Sequence, residues 1–155
     1  MEAKTPSGSR VEMVEVVLPN DANPLGNILG GKVMHLIDIA GAIAAHRHSR
    51  SMVVTVAMDQ LEFHSPIKVG QLIILHAQVT CAFRTSVEVE VKVFSEDILT
   101  GTRRPTSTAF ITFVAIDEAG RPKTVPPLIA ETEEERKKVE QAQQRRNRRL
   151  ARASD

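Results

Sequence analysis

Alternating hydrophobic and polar residues mark the middle of the chain. Between Ser86 and Phe94, valine occupies every second position, and glutamate or lysine fills the positions between them. A period of two residues is typical of a strand with one face buried in an antiparallel sheet. Four other segments are rich in β-forming residues; they span residues 11–18, 52–63, 71–81 and 103–116. Turn signals with Gly or Pro lie at residues 65–66, 69–70, 99–101 and 118–120. The pattern therefore predicts five long strands.

One segment is helical in pattern, from about Gly31 to His48, and its apolar residues occur on all sides. A helix tolerates this only when protein encloses it. A second helix, over about 133–150, begins at a Thr-x-x-Glu capping box formed by Thr132 and Glu135. It has few apolar residues with which to anchor itself. We therefore predict an α+β fold in which an antiparallel sheet of about five strands wraps around one central helix, with a C-terminal helix added.

Composition and charge narrow the possible functions. The 155 residues carry 20 Lys+Arg against 19 Asp+Glu, and 3% are aromatic, with no Trp or Tyr. The balanced charge and the shortage of stacking side chains argue against a nucleic-acid partner. The charge is divided unevenly, with −1 over residues 1–130 and +2 over residues 131–155. We expect one domain over 1–130 and a charged helical tail over 131–155.

No apolar stretch is long enough to cross a bilayer, and the first twenty residues contain no apolar run typical of a signal peptide. Cys81 is the single cysteine, which excludes an internal disulfide framework and a cysteine-rich zinc site. His46 and His48 lie two positions apart on a helix and point in different directions. We therefore expect a cytoplasmic protein with no membrane contact and no metal.

Asp38 is the one formally charged residue between Lys32 and Arg47. A carboxylate in an apolar helix costs several kcal/mol unless it is paired or hydrogen-bonded. One interpretation is a general base or nucleophile. The other is a structural aspartate that is held by backbone amides or by His35, one turn earlier. The spacing alone leaves both open.

Gly30 and Gly31 precede this helix. Small residues there would let a ligand approach the free amides of the helix N-terminus, where the dipole favours developing negative charge. A turn followed by a cap is the simpler interpretation. Gly31 and Asp38 are seven residues apart, which places them on one face and about 10 Å apart along the axis. A site using both would therefore pair Gly31 of one protomer with Asp38 of another.

Several segments together resemble the hotdog-fold acyl-CoA thioesterases, also called acyl-CoA hydrolases. The resemblance covers roughly residues 11–135 and is carried by NPLGNILGG (23–31), MHLIDIAGAI (34–43), RH (47–48), VT (54–55), FHSP (63–66), VG (69–70), FRTS (83–86), FVAID (113–117), GRP (120–122) and VPP (125–127). It implies a long helix wrapped by an antiparallel sheet, which the hydrophobic pattern predicts independently. Leu29, where many relatives have Phe, and His35 depart from the family pattern.

The resemblance implies hydrolysis of fatty acyl-CoA to a free fatty acid and CoA at a dimer interface. Asp38 matches the family's catalytic acid, which activates water or attacks the thioester carbonyl. Asn23 matches the residue that positions substrate or water, and the Gly31 amide matches the oxyanion donor, with Gly30 beside it. Thr55 is implied as a hydrogen-bonding partner in the site.

Arg84, Thr85 and Ser86 correspond to a segment that lies near the pantetheine and phosphates of CoA in relatives, although a plain turn would also explain them. No cofactor is implied, because CoA is part of the substrate. The resemblance also implies a homodimer as the functional unit, assembled as a trimer of dimers.

A different class of function stays open from the sequence, namely a hotdog protein that binds acyl-CoA without turnover and regulates through its tail. The basic run from Arg145 to Arg149 motivates it. The same run would also complement the dipole at the end of a helix, or contact the 3′-phosphate of CoA. A hotdog dehydratase is disfavoured, because the chain lacks the His-containing active-site segment of those enzymes.

Overall fold

The structure, a computed structural model, describes residues 1–153. Five strands and two long helices follow one another as β1 (Val11–Val16), α1 (Gly30–Ser49), β2 (Met52–Asp59), β3 (Leu72–Ala82), β4 (Ser86–Glu96), β5 (Arg103–Ile116) and α2 (Glu133–Ala153). Short 3-10 helices at Pro6–Ser9 and Pro19–Asp21 flank β1. No helix in this part of the chain is long and apolar enough to cross a membrane.

The strands form one antiparallel sheet in the order β1-β3-β4-β5-β2. The alternating valines of β4 all point inward, and Val89, Val91 and Val93 have no exposed surface. β3 and β5 flank β4 on either side, so the hydrophobic core lies against the centre of the sheet. The predicted α+β hotdog arrangement is confirmed, with the long helix α1 enclosed by the inner face of the sheet.

α1 packs closely on β5. A Cβ atom added to Gly41 would lie 3.0 Å from Ile111 Cδ1 and 3.1 Å from the Phe113 ring, so glycine permits the approach. The expectation that protein encloses this helix all round is wrong for the single chain. Met34 is 44% exposed and Ile39 is 36% exposed, because no strand covers that side of the helix.

β2 lies at one edge of the sheet. It ends at Asp59, earlier than the predicted Phe63, because Gln60 takes a left-handed conformation (φ 58°) and the chain leaves the sheet. Apolar side chains are exposed on both elements; they are Met34 and Ile39 on α1, and Met52, Val54 and Val56 on β2. Because Thr55 faces α1, Met52 and Val54 point to the opposite face of the sheet.

α2 packs on the outer face of the sheet. Its capping box forms as predicted, since the Glu135 amide donates to Thr132 Oγ1 and the Thr132 amide donates to Glu135 Oε1. Ion pairs anchor this helix in place of apolar contacts. Arg145 is buried and donates through Nε and Nη2 to the buried carboxylate of Glu88, at 2.9 and 2.8 Å. Lys138 pairs with Glu90 at 3.0 Å.

Candidate active site

The first turn of α1 presents free backbone donors. Leu29 occupies the cap position without a side-chain hydrogen bond. Within the described chain, the amides of Gly30 and Gly31 donate to no acceptor. A Cβ atom added to Gly31 would meet nothing within 4 Å, so the space beside this residue is open. Two free amides at the positive end of a helix can bind an oxyanion.

Asn23 is held by a tight turn just before the helix. Its side-chain oxygen accepts hydrogen bonds from the amides of Leu25 (3.0 Å) and Asn27 (3.1 Å). Its backbone amide donates to the Asn27 carbonyl at 2.8 Å, and Gly26 makes the turn with a φ of 83°. The side-chain NH₂ of Asn23 has no partner within residues 1–153, so it can donate to a ligand.

A cavity of about 330 Å³ opens beside these groups. Asn23 and Gly30 line it together with an apolar wall and four hydroxyl or imidazole side chains. The apolar wall is Ile28, Val33, Phe63, Pro66 and Ile67, and the four polar side chains are His64, Ser65, Thr106 and Ser107. An apolar wall beside convergent donors is the usual composition of a small-molecule site. The Phe63 ring packs against Gly30, since a Cβ atom there would lie 3.6 Å from it.

Asp38 is half-buried on α1 and has a single hydrogen-bond donor in the described chain. Thr55 Oγ1 donates to Asp38 Oδ1 at 2.7 Å. The structural alternatives of a backbone amide or His35 as the partner are therefore wrong. The bond fixes the carboxylate from the edge strand β2 and leaves Oδ2 without a protein donor among residues 1–153, so Oδ2 can accept a proton or attack a carbonyl.

One chain does not bring these groups together. Asn23 and Gly30 line the cavity, while Asp38 and Thr55 do not. Asp38 lies two helical turns from Gly31, about 10 Å along the axis, where Thr55 of the edge strand β2 bonds to it. The single chain therefore presents two parts of a site, one at the N-terminus of α1 and one between α1 and β2.

Arg84, Thr85 and Ser86 form a third group, which lies away from the cavity but level with Thr55, because Ser86 pairs with Val114 and Val114 pairs with Val54 of β2. The three residues make the turn between β3 and β4, where the Arg84 and Thr85 carbonyls accept hydrogen bonds from the amides of Val125 and Ala115. The cavity residue Ser107 pairs with Val93, seven residues along β4 from Ser86. At 3.3 Å per residue that separation is about 23 Å. The plain-turn interpretation accounts for the backbone of this segment, and Arg84 remains exposed.

Sequence reasoning missed Ser107 and the role of Phe63 in the cavity wall. Ser107 is 4% exposed, and its Oγ has no hydrogen-bond partner among the described residues. The available signal was its position in β5, because it shares the inward face with Ala109 and Ile111.

Burial, with the Glu88 carboxylate adding to it, raises the pKa of the Cys81 thiol to about 11, which makes that thiol a poor nucleophile. The described residues contain no cluster of three or more His, Cys, Asp or Glu placed to hold a metal ion.

Comparison with known proteins identifies the family. The model of the thioesterase superfamily matches residues 25–102, which is half of the chain and includes α1 and β2. The chain belongs to the thioesterase superfamily. An uncharacterized acyl-CoA thioester hydrolase of Bacillus subtilis is 40% identical over 144 residues, covering 90% of this chain and 84% of the relative.

Solved structures of superfamily members share the whole fold. An apo-hexameric acyl-CoA thioesterase superposes with a TM-score of 0.94 at 42% identity, covering 99% of this chain and 98% of that one. The acyl-CoA hydrolase of Staphylococcus aureus, solved with butyryl-CoA, CoA and CoA disulfide, superposes with a TM-score of 0.90 at 34% identity, covering 97% and 92%. Variants of that hydrolase with one aspartate, one asparagine or one threonine replaced by alanine have also been solved.

Proposed function

We propose that this thioesterase-superfamily protein hydrolyses the thioester of fatty acyl-CoA to a free fatty acid and CoA. The observation that supports this most is the pair of free amides at Gly30 and Gly31, of which Gly30 lines a cavity with an apolar wall. A thioester carbonyl placed at these amides would have its developing negative charge stabilised by the helix N-terminus. The acyl chain would then lie along the Ile28, Val33 and Phe63 side of the cavity.

This placement of the carbonyl determines where water attacks and which group leaves. Water adds to the carbonyl carbon, the C–S bond breaks, and the thiolate of CoA takes up the proton released from the water. Asp38 of the partner protomer supplies the base that accepts that proton, or first attacks the carbonyl itself. Asn23 orients the substrate or water through its free NH₂, and Thr55 fixes the Asp38 carboxylate at 2.7 Å.

The dimer is part of the proposal, because the two parts of the site lie apart in one chain. Apolar side chains exposed on α1 and on the edge strand β2 supply surface for a second copy, with Met52 67% exposed and Val56 54% exposed. β2 also has one backbone edge without a partner strand, which is the position where another chain can add. We propose a homodimer assembled further as a trimer of dimers in the cytoplasm, and the hexameric relative supports the higher assembly.

The solved variants support the assignment of roles. In the S. aureus hydrolase the substituted asparagine and aspartate lie 15 positions apart, and the aspartate and threonine lie 17 apart. The same intervals separate Asn23, Asp38 and Thr55 here. Arg84, Thr85 and Ser86 stay in the proposal as contacts to the CoA portion, which the partner protomer would bring to the cavity.

Release of free CoA thiol tests the reaction. Wild-type protein should release thiol from acyl-CoAs of one or more chain lengths, and Asp38→Ala should lower kcat by about 10²–10⁴-fold, the usual contribution of a positioned acid or base. Thr55→Val should cost about tenfold, because one hydrogen bond to a charged group is lost. Folded wild-type protein that binds acyl-CoA but releases no thiol would overturn the proposal and favour the regulatory alternative.

Subunit mixing tests the shared site. Asn23→Ala and Asp38→Ala chains should each be nearly inactive alone. In a mixed dimer, one of the two sites joins an intact Asn23 to an intact Asp38, so random mixing restores about a quarter of wild-type activity, as two-fold symmetry requires. A mixture that stays as inactive as its parents, with mixed dimers shown by two affinity tags, would mean that each site is built within one chain.

A further inference from the structure

The outer face of the sheet carries a second cavity, which the proposed reaction does not use. It has a volume of about 140 Å³ and lies between the end of β2 and the last turns of α2. Five residues line it, namely Asp59, Gln60, Arg145, Arg148 and Arg152. Three of the five are arginines, so the chemistry of the cavity is that of an anion site.

Arg145 is the fixed member of this group. Its side chain is 7% exposed, and two of its nitrogens are held by the Glu88 carboxylate. The Phe110 ring stacks on the guanidinium, 3.6 Å from its centre. The third nitrogen, Nη1, has no partner among the described residues. Because Glu88 and Phe110 hold the guanidinium in place, Nη1 keeps one position, and binding an anion there costs little conformational entropy.

Arg148 and Arg152 follow at the third and seventh positions after Arg145, which places all three on one side of α2. Arg148 is exposed and makes no ion pair within residues 1–153. Arg152 lies 3.8 Å from Asp59 Oδ1, while Arg149 already holds Asp59 Oδ2 at 3.1 Å.

The charges around the cavity do not balance. Its arginines and the neighbouring Arg149 make four guanidinium groups, and the carboxylates that they contact are Glu88 and Asp59. Among residues 1–153, two positive charges are left over beside a concave surface. Such a surface concentrates anions from solution, and the planar fork of arginine matches phosphate oxygens.

We propose that this cavity binds a phosphate group. A volume near 140 Å³ equals that of about five waters, at about 30 Å³ each, which is enough for one tetrahedral anion. The cavity is open to solvent, so a larger ligand can extend out of it. Arg145 Nη1 donates from the floor, and Arg148 and Arg152 close over the phosphate from the last turns of α2. Asp59 competes for Arg152 and sets an upper limit on the affinity.

Calorimetric titration of the full chain with inorganic phosphate, at constant ionic strength, tests the site. The variant Arg148→Gln/Arg152→Gln should bind phosphate at least about tenfold more weakly, since two charge-assisted donors are lost. Asp59→Asn should bind it more tightly. Arg136→Gln is the matched control, because Arg136 lies on the same helix but pairs with Glu133, away from the cavity. Wild-type protein that fails to bind phosphate, or a double variant within twofold of wild type, overturns the proposal.

A second arm, which rests on the proposed function, identifies the source of the phosphate. The KM of acyl-CoA and of acyl-3′-dephospho-CoA is compared in the wild type and the double variant. A KM that rises for acyl-CoA alone assigns the site to the 3′-phosphate of the substrate. Unchanged KM values with weakened phosphate binding assign it to a separate phosphate compound. The titration with inorganic phosphate decides whether the site exists even if the protein has no thioesterase activity.

Discussion

Replacing Arg145 by methionine should destabilise the protein far more than any surface charge change. The Glu88 side chain is 2% exposed and that of Arg145 is 7% exposed, so both charges are out of water. The substitution removes the hydrogen bonds of 2.9 and 2.8 Å and leaves Thr80 Oγ1, at 2.6 Å, as the remaining side-chain donor to the Glu88 carboxylate.

The magnitude follows from the unpaired carboxylate. Removing one partner of a buried ion pair costs about 3–5 kcal/mol. Methionine keeps most of the apolar contact with Phe110, and the lost cation–π contact adds about 1 kcal/mol. We expect a loss of about 4 kcal/mol in the free energy of unfolding. The double variant Glu88→Leu/Arg145→Met buries no charge and should recover about half of that loss or more.

Urea unfolding followed by circular dichroism measures these differences. All proteins must be compared at one protomer concentration, because the stability of an oligomer depends on it. Arg136→Met is the matched control, since the Arg136–Glu133 pair is exposed, and it should cost less than about 1 kcal/mol.

Two results would refute the reasoning. One is an Arg145→Met protein within about 0.5 kcal/mol of the Arg136→Met control, which would mean that the pair contributes no more than a surface contact. The other is a double variant that is no more stable than Arg145→Met. That outcome would assign the loss to packing of the arginine stem rather than to the uncompensated Glu88 charge.

Three further predictions concern the core. Gly41→Ala should lower the free energy of unfolding by about 1 kcal/mol, because crowding against Ile111 and Phe113 outweighs the gain in helix propensity; a more stable variant in urea would contradict this. Burial lowers the pKa of His48 below its usual 6.5, so the unfolded chain takes up a proton that the folded chain does not. The free energy of unfolding should therefore fall as the pH drops below 6.5. Urea unfolding at about pH 7.5 and about pH 5.5 should show a smaller loss for His48→Gln than for wild type, and an equal loss in both proteins would contradict this. Cys81, with its pKa raised to about 11, should resist a thiol reagent at about pH 8 until the protein is unfolded; reaction of the folded protein would show that the thiol is accessible.

Periodicity was enough to predict most of the elements. The helix α1 begins and ends within one residue of its predicted bounds, and β5 has the same bounds as its predicted segment. These segments have long, regular hydrophobic patterns, and contacts within one chain bury their apolar residues. β2 was predicted four residues too long, because nothing in the residues from Gln60 to Phe63 shows that Gln60 adopts a positive φ.

The site was less accessible to sequence reasoning. Asp38 stood out by charge, yet its partner Thr55 lies on another element, and only the resemblance pointed to it. The tail was expected to be weakly anchored, because a count of apolar residues cannot show that Arg145 meets Glu88. The two residues are 57 positions apart, so their contact is tertiary and leaves no local pattern in the sequence. Met34 and Ile39 were expected to be enclosed with the rest of α1 for a related reason, since a helical pattern does not say which protein surface covers it.

The Glu88–Arg145 contact also orders the folding of the chain. β3 and β4 are joined by a short turn and can pair early, whereas α2 docks on them across 57 residues, and contacts of long sequence separation form late. Until α2 docks, Glu88 lacks the guanidinium that pairs with it, so the outer face of the β3–β4 hairpin must stay hydrated. Docking of α2 then excludes water from Glu88 on the outer face of the sheet. Interactions made after the transition state mainly slow unfolding, so a helix that docks last would slow unfolding more than it speeds folding.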